Sequence, residues 1–450
     1  MIPEPEHLRR HARHTVDTSI GGLSPVRRAT SKPSVFRYHV LLLGYGNIGQ
    51  AVARCLEAER DRLRACGLVI EPARALVRDL TKRRGGPAVD LSADRADVID
   101  DQVDVVIEAL GGLEPARALV TAALRAGLPV VSANKTLLAT HGPELRAIAA
   151  AHGARLAYDA AVLAGVPFVG SLARRPLVSA VRRVEAILNG TSHFVISAMT
   201  RGASPEVAMA HAIARGYAEP DSAADLNGRD AAEKLTILLH LAGRDDVRVE
   251  HLPRLGLDVL DVKDFPAARQ LGGAVKPVAL AALDERAPGA WVGPAFVADD
   301  HPFARLEGVT NALRIQHATG WCTFSGPGAG PAVTATTIVD DVVEVLTGAA
   351  IVAPPHLPVN ESRNPPALTA PPASSWFLRL SGARVPAVAD LAEYFAVRRT
   401  PIVRLAEREG RLVCVTAPAP FATIAAAVQA VRACGVEALV LPVLDGGRGE

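Results

Sequence analysis

The stretch HVLLLGYGNIGQAVARCLEAE, residues 39–59, decides the fold. Its apolar run Val40–Leu43 has no alternation and therefore no solvent side, which is how a strand covered on both faces reads. Gly44, Gly46 and Gly49 follow in G-x-G-x-x-G spacing, with Tyr45, Asn47 and Ile48 between them. Ile48, Val52 and Leu56 then recur every fourth residue, the stripe of an amphipathic helix. Strand, tight glycine turn and helix open a βαβ unit whose helix N-terminus faces the pyrophosphate of a dinucleotide. Gly44, Gly46, Asn47, Ile48 and Gly49 are thus candidate cofactor residues, with a purely structural βα turn as the alternative reading.

Outward from this unit, the strand-like runs ARALV (73–77), VDVVIEAL (103–110) and LPVVSA (128–133) alternate with helical text such as Pro115 to Ala126. This alternation predicts a Rossmann-type, doubly wound parallel sheet over residues 35–160. Residues 161–350 mix the strand-like VRRVEAILNG (181–190) with Ala-rich helices near 204–215 and 229–242, a second, α+β domain. PPHLPVNESRNPPALTAPP (354–372) is too proline-dense to pack a core, so 351–373 reads as a linker. Beyond it, 374–450 gives the β-α-β-β-α-β order of a ferredoxin-like domain. Residues 1–34 carry Arg, His, Pro and Ser without apolar periodicity and read as a flexible extension.

Composition bounds the function. A chain of 450 residues holds two or three domains, and 49% hydrophobic against 21% charged residues is ordinary globular usage. Lys+Arg total 49 and Asp+Glu 47, a net charge of +2, which makes no electrostatic case for nucleic acid or an anionic membrane. Aromatics at 4% do not supply a stacking platform for bases, so a small-molecule ligand is expected. The five cysteines are scattered, without zinc spacing. The segment MIPEPEHLRRHARH has no apolar core of a secretory signal, and Gly and Pro interrupt the weakly polar stretch from Ala160 to Ala173, so a cytoplasmic location is expected.

At the end of the second strand, ALVRDLTKRRG (75–85) presents Arg78, Lys82, Arg83 and Arg84 beside Asp79. The basic cluster favours a ribose 2′-phosphate, hence NADP, while Asp79 leaves NAD open. In GYAEPDSAADLNGRDAAEK (216–234), four carboxylates (Glu219, Asp221, Asp225, Asp230) stand in a loop that opens a helix. Asp230 and Lys234 are one turn apart on the same face, a spacing that by itself fits a surface ion pair.

Taken in order, GYGNIG, IEALGG (107–112), SANKTLLA (132–139), ILNGTS (187–192), the 216–234 stretch and GPGAG (326–330) resemble the homoserine dehydrogenase family over about residues 36–345. The resemblance implies reversible NAD(P)-dependent interconversion of L-homoserine and L-aspartate 4-semialdehyde, on the way to threonine and methionine. Reducing an aldehyde needs a hydride and a proton, and a lysine whose pKa is depressed by burial or by a second cation can supply the proton. By resemblance Lys234 is that donor and acceptor, Asp230 orients it, and Lys135 is the second cation, close to both nicotinamide and substrate. Arg78 and Leu110 join the glycine turn on the cofactor. Glu219 and Asp225 bind the substrate ammonium, with Gly190, Thr191, Gly216, Tyr217 and Asp230 as further contacts.

The family also implies that the α+β domain, 161–350, is the substrate and dimerisation domain, a monovalent cation, Na or K, at a hinge that corresponds to Asp159, Val162, Ala164 and Val166, and a homodimer or homotetramer. This sequence departs from the family pattern with Asp159 for Glu, Ala161 for Ser or Thr, Leu163 for Gly, His193 for Asn and Val333 for Pro. The C-terminal segment resembles an ACT-like amino-acid sensor, but Arg384, Pro386 and Ala387 replace its acidic-x-Pro-Gly loop, which leaves two readings: a fold-preserving domain with weakened or lost threonine control, or a working sensor. Two other readings stay open. One is a same-fold dehydrogenase for a related amino-acid aldehyde, for which His193 and Leu163 are the hints. The other is a catalytically idle amino-acid-binding protein.

Overall fold

The computed structural model describes residues 35–446 except 96–97, 167–168, 170–180, 219–221, 284–287, 329, 349–366, 383–384, 386 and 409. Val40, Leu41, Leu42 and Leu43 are completely buried, at the centre of a six-stranded parallel sheet. Its strands are β1 (Phe36–Leu43), β2 (Leu68–Leu76), β3 (Asp90–Ser92), β4 (Val105–Glu108), β5 (Val130–Ser132) and β6 (Leu156–Ala157), in the order β3-β2-β1-β4-β5-β6. Successive side chains of β1 point to opposite faces. Val40 and Leu42 pack with helix α1 (Asn47–Ala58), and Leu41 and Leu43 with α2 (Ala116–Arg125) and α3 (Lys135–Ala151). The winding reverses between β1 and β4, which opens a crevice at the carboxyl ends of the strands.

The second sheet is mixed. It contains β7 (Arg183–Ile187), β8 (Gly273–Ala282), β9 (Gly289–Ala298), β10 (Thr310–His317) and β11 (Gly320–Pro327), with neighbours β7, β8, β9, β10 and β11 antiparallel where they pair. Helices α4 (Gly190–Thr200), α5 (Pro205–Ala214), α6 (Arg229–Leu241) and α7 (Asp264–Gln270) belong to this half. The next helix, α8 (Pro331–Thr347), returns to the first sheet. Its Ile338 and Val342 are fully buried in the same cluster as Val52 and Leu56 of α1. The dinucleotide fold is therefore completed by a segment nearly two hundred residues beyond its last strand, so the two halves interlock.

The C-terminal strands β12 (Trp376–Ser381), β13 (Ile402–Arg408), β14 (Arg411–Thr416) and β15 (Glu437–Leu444) lie in the order β15-β12-β14-β13. Helices α9 (Val388–Val397) and α10 (Phe421–Ala433) cover one face through Leu391, Phe395, Ile424 and Val428. This unit is not a separate bead. The end of β15 pairs in parallel with β9, Val443 opposite Phe296 and Leu444 opposite Val297, so that one sheet of nine strands runs through both units. Phe377 stacks on Phe296 with ring centroids 5.5 Å apart. Arg379 reaches the buried Asp264 at 2.5 Å, Arg411 reaches Asp261 at 2.9 Å, and Arg404 donates to the Leu271 carbonyl at 2.8 Å.

One expectation from the sequence is corrected here. The last part of the proline-rich stretch read as a linker, 367–373, is packed. Leu368 is 4% exposed and joins the main core cluster, and the Ala370 carbonyl accepts the Ala290 amide of β9 at 2.9 Å. Proline has no N–H to leave unsatisfied, so Pro371 and Pro372 can be buried against a strand without a hydrogen-bond cost. The segment 351–366 lies outside the described residues.

Candidate active site

The glycine turn is shaped by close approach. Gly44 has φ +103°, and a Cβ there would lie 2.7 Å from the Ala109 carbonyl oxygen. A Cβ on Gly49 would lie 2.2 Å from the Gly44 carbonyl oxygen, so only glycine lets α1 pack this tightly on the turn. At Gly46, the N-cap of α1, a Cβ would meet nothing within 4 Å, and no side chain caps the helix. Asn47 and Ile48 are its first helical residues. Uncapped N–H groups, the positive end of the helix dipole and open space together fit the pyrophosphate of a dinucleotide. Leu110 is half-buried on the neighbouring loop, followed by Gly111 and Gly112, which have φ +73° and +71° and open space where a Cβ would stand.

Beyond β2, Arg78, Lys82 and Arg83 are exposed. The Asp79 carboxylate is turned into its own loop, where Oδ1 accepts the Thr81 amide at 2.8 Å and the Thr81 hydroxyl at 2.6 Å. These hydrogen bonds hold the Asp79 carboxyl below its ordinary value. Arg84 donates to the carbonyls of Asp79 and Lys82, which closes the loop.

At the other end of the crevice, two helices bring three charges together. Asn134 caps α3 through its side-chain oxygen and the Leu137 amide, and Lys135 is the first helical residue. Asp230 and Lys234 lie in the first two turns of α6, which starts after Gly228 in the left-handed region at φ +78°. Lys135 Nζ is 3.1 Å from Asp230 Oδ1, and Lys234 Nζ is 3.0 Å from Asp230 Oδ2. Burial alone would raise the Asp230 carboxyl, but Lys234, Lys135 and Asn189 bring it down to about 2. For Lys135 burial opposes the charge, and the carboxylates of Asp230, Glu233 and Asp225 outweigh it, so its pKa is raised. Lys234 also donates to the Leu188 carbonyl at 2.8 Å, which occupies a second of its three donors.

The other sequence candidates gather around this trio. Asn189 donates from one amide to Asp225 at 2.7 Å and to Asp230 at 2.9 Å, while its oxygen caps α4 at Ser192. Burial raises the Asp225 carboxyl. Gly190 and Thr191 open α4, and the Thr191 hydroxyl donates to the Tyr217 carbonyl at 2.6 Å, after Gly216 has turned the chain at φ +71°. Tyr217 is 43% exposed, its ring 5.1 Å from that of Phe194. Glu219 lies outside the described residues. Reading the sequence missed Asn189, although its position before a helix in ILNGTS is an N-cap signal. It also missed Glu233, which accepts Thr136 from α3 at 3.1 Å and so adds a second tie between α3 and α6.

His193 lies elsewhere. It is completely buried, Nδ1 2.9 Å from the Thr310 carbonyl oxygen and Nε2 3.1 Å from that of Leu306. Burial first and Lys276 second lower its pKa to about 4, so it is a packed, neutral histidine. At the hinge, Asp159 opens the short helix Asp159–Val162, and its carboxylate accepts the Val169 amide at 2.6 Å. Val162, Ala164 and Val166 are buried beside it, as is Leu163. Asp341 and Glu344, one turn apart on α8, place carboxylate oxygens within 4.8 Å of that of Asp159. Burial and the Asp159 charge raise the Asp341 carboxyl well above its ordinary value.

A Rossmann crevice with an open helix N-terminus at one end and a lysine–carboxylate–lysine trio at the other defines a nicotinamide-dependent oxidoreductase. Comparison with known proteins gives the particular one. The family described as "Homoserine dehydrogenase, NAD binding domain" matches residues 44–159, and that described as "Homoserine dehydrogenase" matches 167–343. The homoserine dehydrogenase of Bacillus subtilis is 34% identical over 311 residues, 68% of this chain and 72% of that protein. That of Corynebacterium glutamicum is 36% identical over 314 residues, 68% and 71% of the two chains. The crystal structure of a homoserine dehydrogenase from Thiobacillus denitrificans superposes with a TM-score of 0.83 at 30% identity, covering 92% of this chain and all of the other. The chain belongs to the homoserine dehydrogenase family, with that family's oxidoreductase activity and NAD(P) as hydride carrier. Among the described residues, no helix is long and apolar enough to cross a membrane.

Proposed function

We propose that Lys234 gives and takes the proton in the interconversion of L-homoserine and L-aspartate 4-semialdehyde. The observation that carries this reading is Asp230, held between Lys135 and Lys234 by one oxygen each. The bound dinucleotide supplies or accepts the hydride. Gly44, Gly46, Asn47, Ile48 and Gly49 would hold its pyrophosphate at the N-terminus of α1, with Leu110 as a further contact. Lys234, fixed by Asp230 and the Leu188 carbonyl, has a third N–H for the substrate oxygen and protonates the developing alkoxide. Lys135 adds positive charge where the oxyanion grows. Asp225 and Glu219 take the substrate ammonium, while Gly190, Thr191, Gly216 and Tyr217 shape the pocket around it.

NADP is the preferred carrier in this reading. Arg78 and Lys82 are exposed for a 2′-phosphate, and the carboxylate that would accept a ribose hydroxyl, Asp79, is engaged by Thr81. A monovalent cation belongs at Asp159, Val162, Ala164 and Val166. Its support is the carboxylate cluster of Asp159 and Asp341, both buried, and the half-buried Glu344, whose like charges a cation offsets. There it would tie the hinge segment to α8. A homodimer or homotetramer, a cytoplasmic location and an ACT-like sensing role for residues 374–450 complete the proposal. Among the described residues no strand pairs with the outer edge of β11, at one end of the nine-stranded sheet, and that edge supports assembly.

The substrate assignment is tested with 4-hydroxybutanoate, which is homoserine without its ammonium group. It should turn over with kcat/KM lower by roughly ten-thousandfold or more, because the carboxylates that bind the ammonium are left unpaired. Asp225→Asn should raise KM for homoserine while leaving that for 4-hydroxybutanoate unchanged. Equal kcat/KM for the two substrates in the wild type contradicts the reading.

A further inference from the structure

Glu108 is completely buried at the carboxyl end of β4, between the two loops that flank the crevice. Every partner of its carboxylate is a donor. Oε1 accepts the Leu110 amide at 2.9 Å and the Asn134 side-chain amide at 3.2 Å, Oε2 accepts the Ser132 hydroxyl at 2.7 Å, and the Gly111 amide adds a further bond. Leu110 and Gly111 belong to the loop after β4, whereas Ser132 ends β5 and Asn134 lies in the turn that leads from it into α3. The Asn134 amide also donates to the Gly112 carbonyl at 2.7 Å, and the Ser132 oxygen accepts the Asn134 backbone amide at 3.2 Å. The glycine turn rests on the same structure, since Gly44 lies against the Ala109 carbonyl.

A buried carboxylate is a costly way to stabilise a strand end. Removing the charge from water costs several kcal/mol, and well-packed apolar residues often serve stability as well or better. Burial does push the Glu108 carboxyl up, while its four donors pull it back down. What an apolar side chain cannot do is fix two separate loops relative to one another through directional bonds. One loop carries Leu110 toward the cofactor, and the other ends at Asn134, whose next residue is Lys135.

We propose that Glu108 is a positioning residue for the reaction: it staples the loop after β4 to the N-terminus of α3 and thereby sets Lys135 against Asp230. It touches neither of those charges. It acts through Asn134, which spends its amide on Glu108 and Gly112 and its oxygen on the cap of α3. The proposal rests on Lys135 working at the site, so its test includes Lys135.

The experiment is a double-mutant cycle in kcat with Glu108→Ala and Lys135→Ala, alongside Glu108→Gln and thermal melting of each variant. Glu108→Ala should lower kcat by roughly tenfold to a hundredfold, the effect of a small misplacement of a reacting group. The double variant should be no slower than Lys135→Ala alone, because Glu108 has nothing left to position. Glu108→Gln should recover most of the loss. Its amide oxygen can take the Leu110 and Asn134 donors, and its NH2 can donate to the Ser132 oxygen. Should Glu108→Ala fail to fold, Ser132→Ala, which removes one of the four donors to Glu108 together with the acceptor of the Asn134 backbone amide, replaces it in the cycle and should show the same non-additivity with a smaller loss. Losses that multiply in the double variant overturn the proposal, as does a Glu108→Gln variant no better than Glu108→Ala. If Lys135→Ala alone leaves kcat intact, the reading of Lys135 fails and Glu108 falls with it. A crippled Lys135→Ala with multiplying losses overturns the Glu108 role alone.

Discussion

Lys234 Nζ stands 3.0 Å from Asp230 Oδ2, one helical turn away, with the lysine side chain only 12% exposed. A pair of this spacing on a helix surface contributes little. Here the carboxylate is buried and its other oxygen is held by Lys135 from α3, so the pair locks two halves of the molecule together.

Acid should break that lock at a defined place. The Asp230 carboxyl lies at about 2 in the folded protein against 3.8 ordinarily. A depressed folded pKa gives stability that is present above about pH 4 and lost as the pH falls through about 2, and the difference corresponds to about 2 kcal/mol. In urea unfolding, the stability advantage of the wild type over Asp230→Asn should shrink by about that amount across this window. A difference independent of pH means that the lysines do not hold the carboxylate as described.

Cofactor choice should depend on the basic loop after β2. Replacing Arg78 and Lys82 together by alanine removes the charges that meet a 2′-phosphate, and KM for NADP should rise roughly tenfold or more, about 1.4 kcal/mol. KM for NAD should move by less than about twofold, since that ligand has no phosphate there. Competition kinetics with both dinucleotides reads the two effects together, and an equal rise for both contradicts the assignment.

The C-terminal unit should unfold with the rest of its sheet until its ion pair is cut. Asp264 is 1% exposed and meets Arg379 at 2.5 Å. Arg379→Ala leaves that carboxylate with the Asp261 amide at 2.8 Å and the more distant Arg411 at 3.8 Å, and should cost about 3 kcal/mol. Denaturation followed by tryptophan fluorescence, with Trp376 reporting from β12, should show an earlier transition for the variant. Coincident curves would mean that the junction contributes nothing.

Much of this architecture could be read from local pattern, because local pattern is what the relevant physics uses. The run Val40–Leu43 is buried on both faces because apolar residues without alternation leave no wet side, and Gly49 is required by its contact with Gly44 in the same turn. The partnership of Asp230 with Lys234 follows from helical spacing alone. What escaped depends on distant chain. Nothing in the text of α8 says that Ile338 will pack on α1 rather than on the strands just before it, since its apolar stripe suits either surface. The pairing of β15 with β9 involves two residue pairs at the end of a strand whose burial pattern serves β12 equally well. Lys135 carries no periodic signal that points to Asp230. Only the fold of α3 against α6 puts them 3.1 Å apart.

The central claim is that Lys234 moves the proton. Its most direct test is the rate of NADPH oxidation with L-aspartate 4-semialdehyde, measured for the wild type and for Lys234→Ala, with NADPH affinity determined separately by fluorescence titration. The wild type should turn over, and the variant should lose roughly a hundredfold to ten-thousandfold in kcat, the range supplied by a positioned acid, with NADPH affinity unchanged. A Lys234→Ala variant that oxidises NADPH at the wild-type rate would contradict the account.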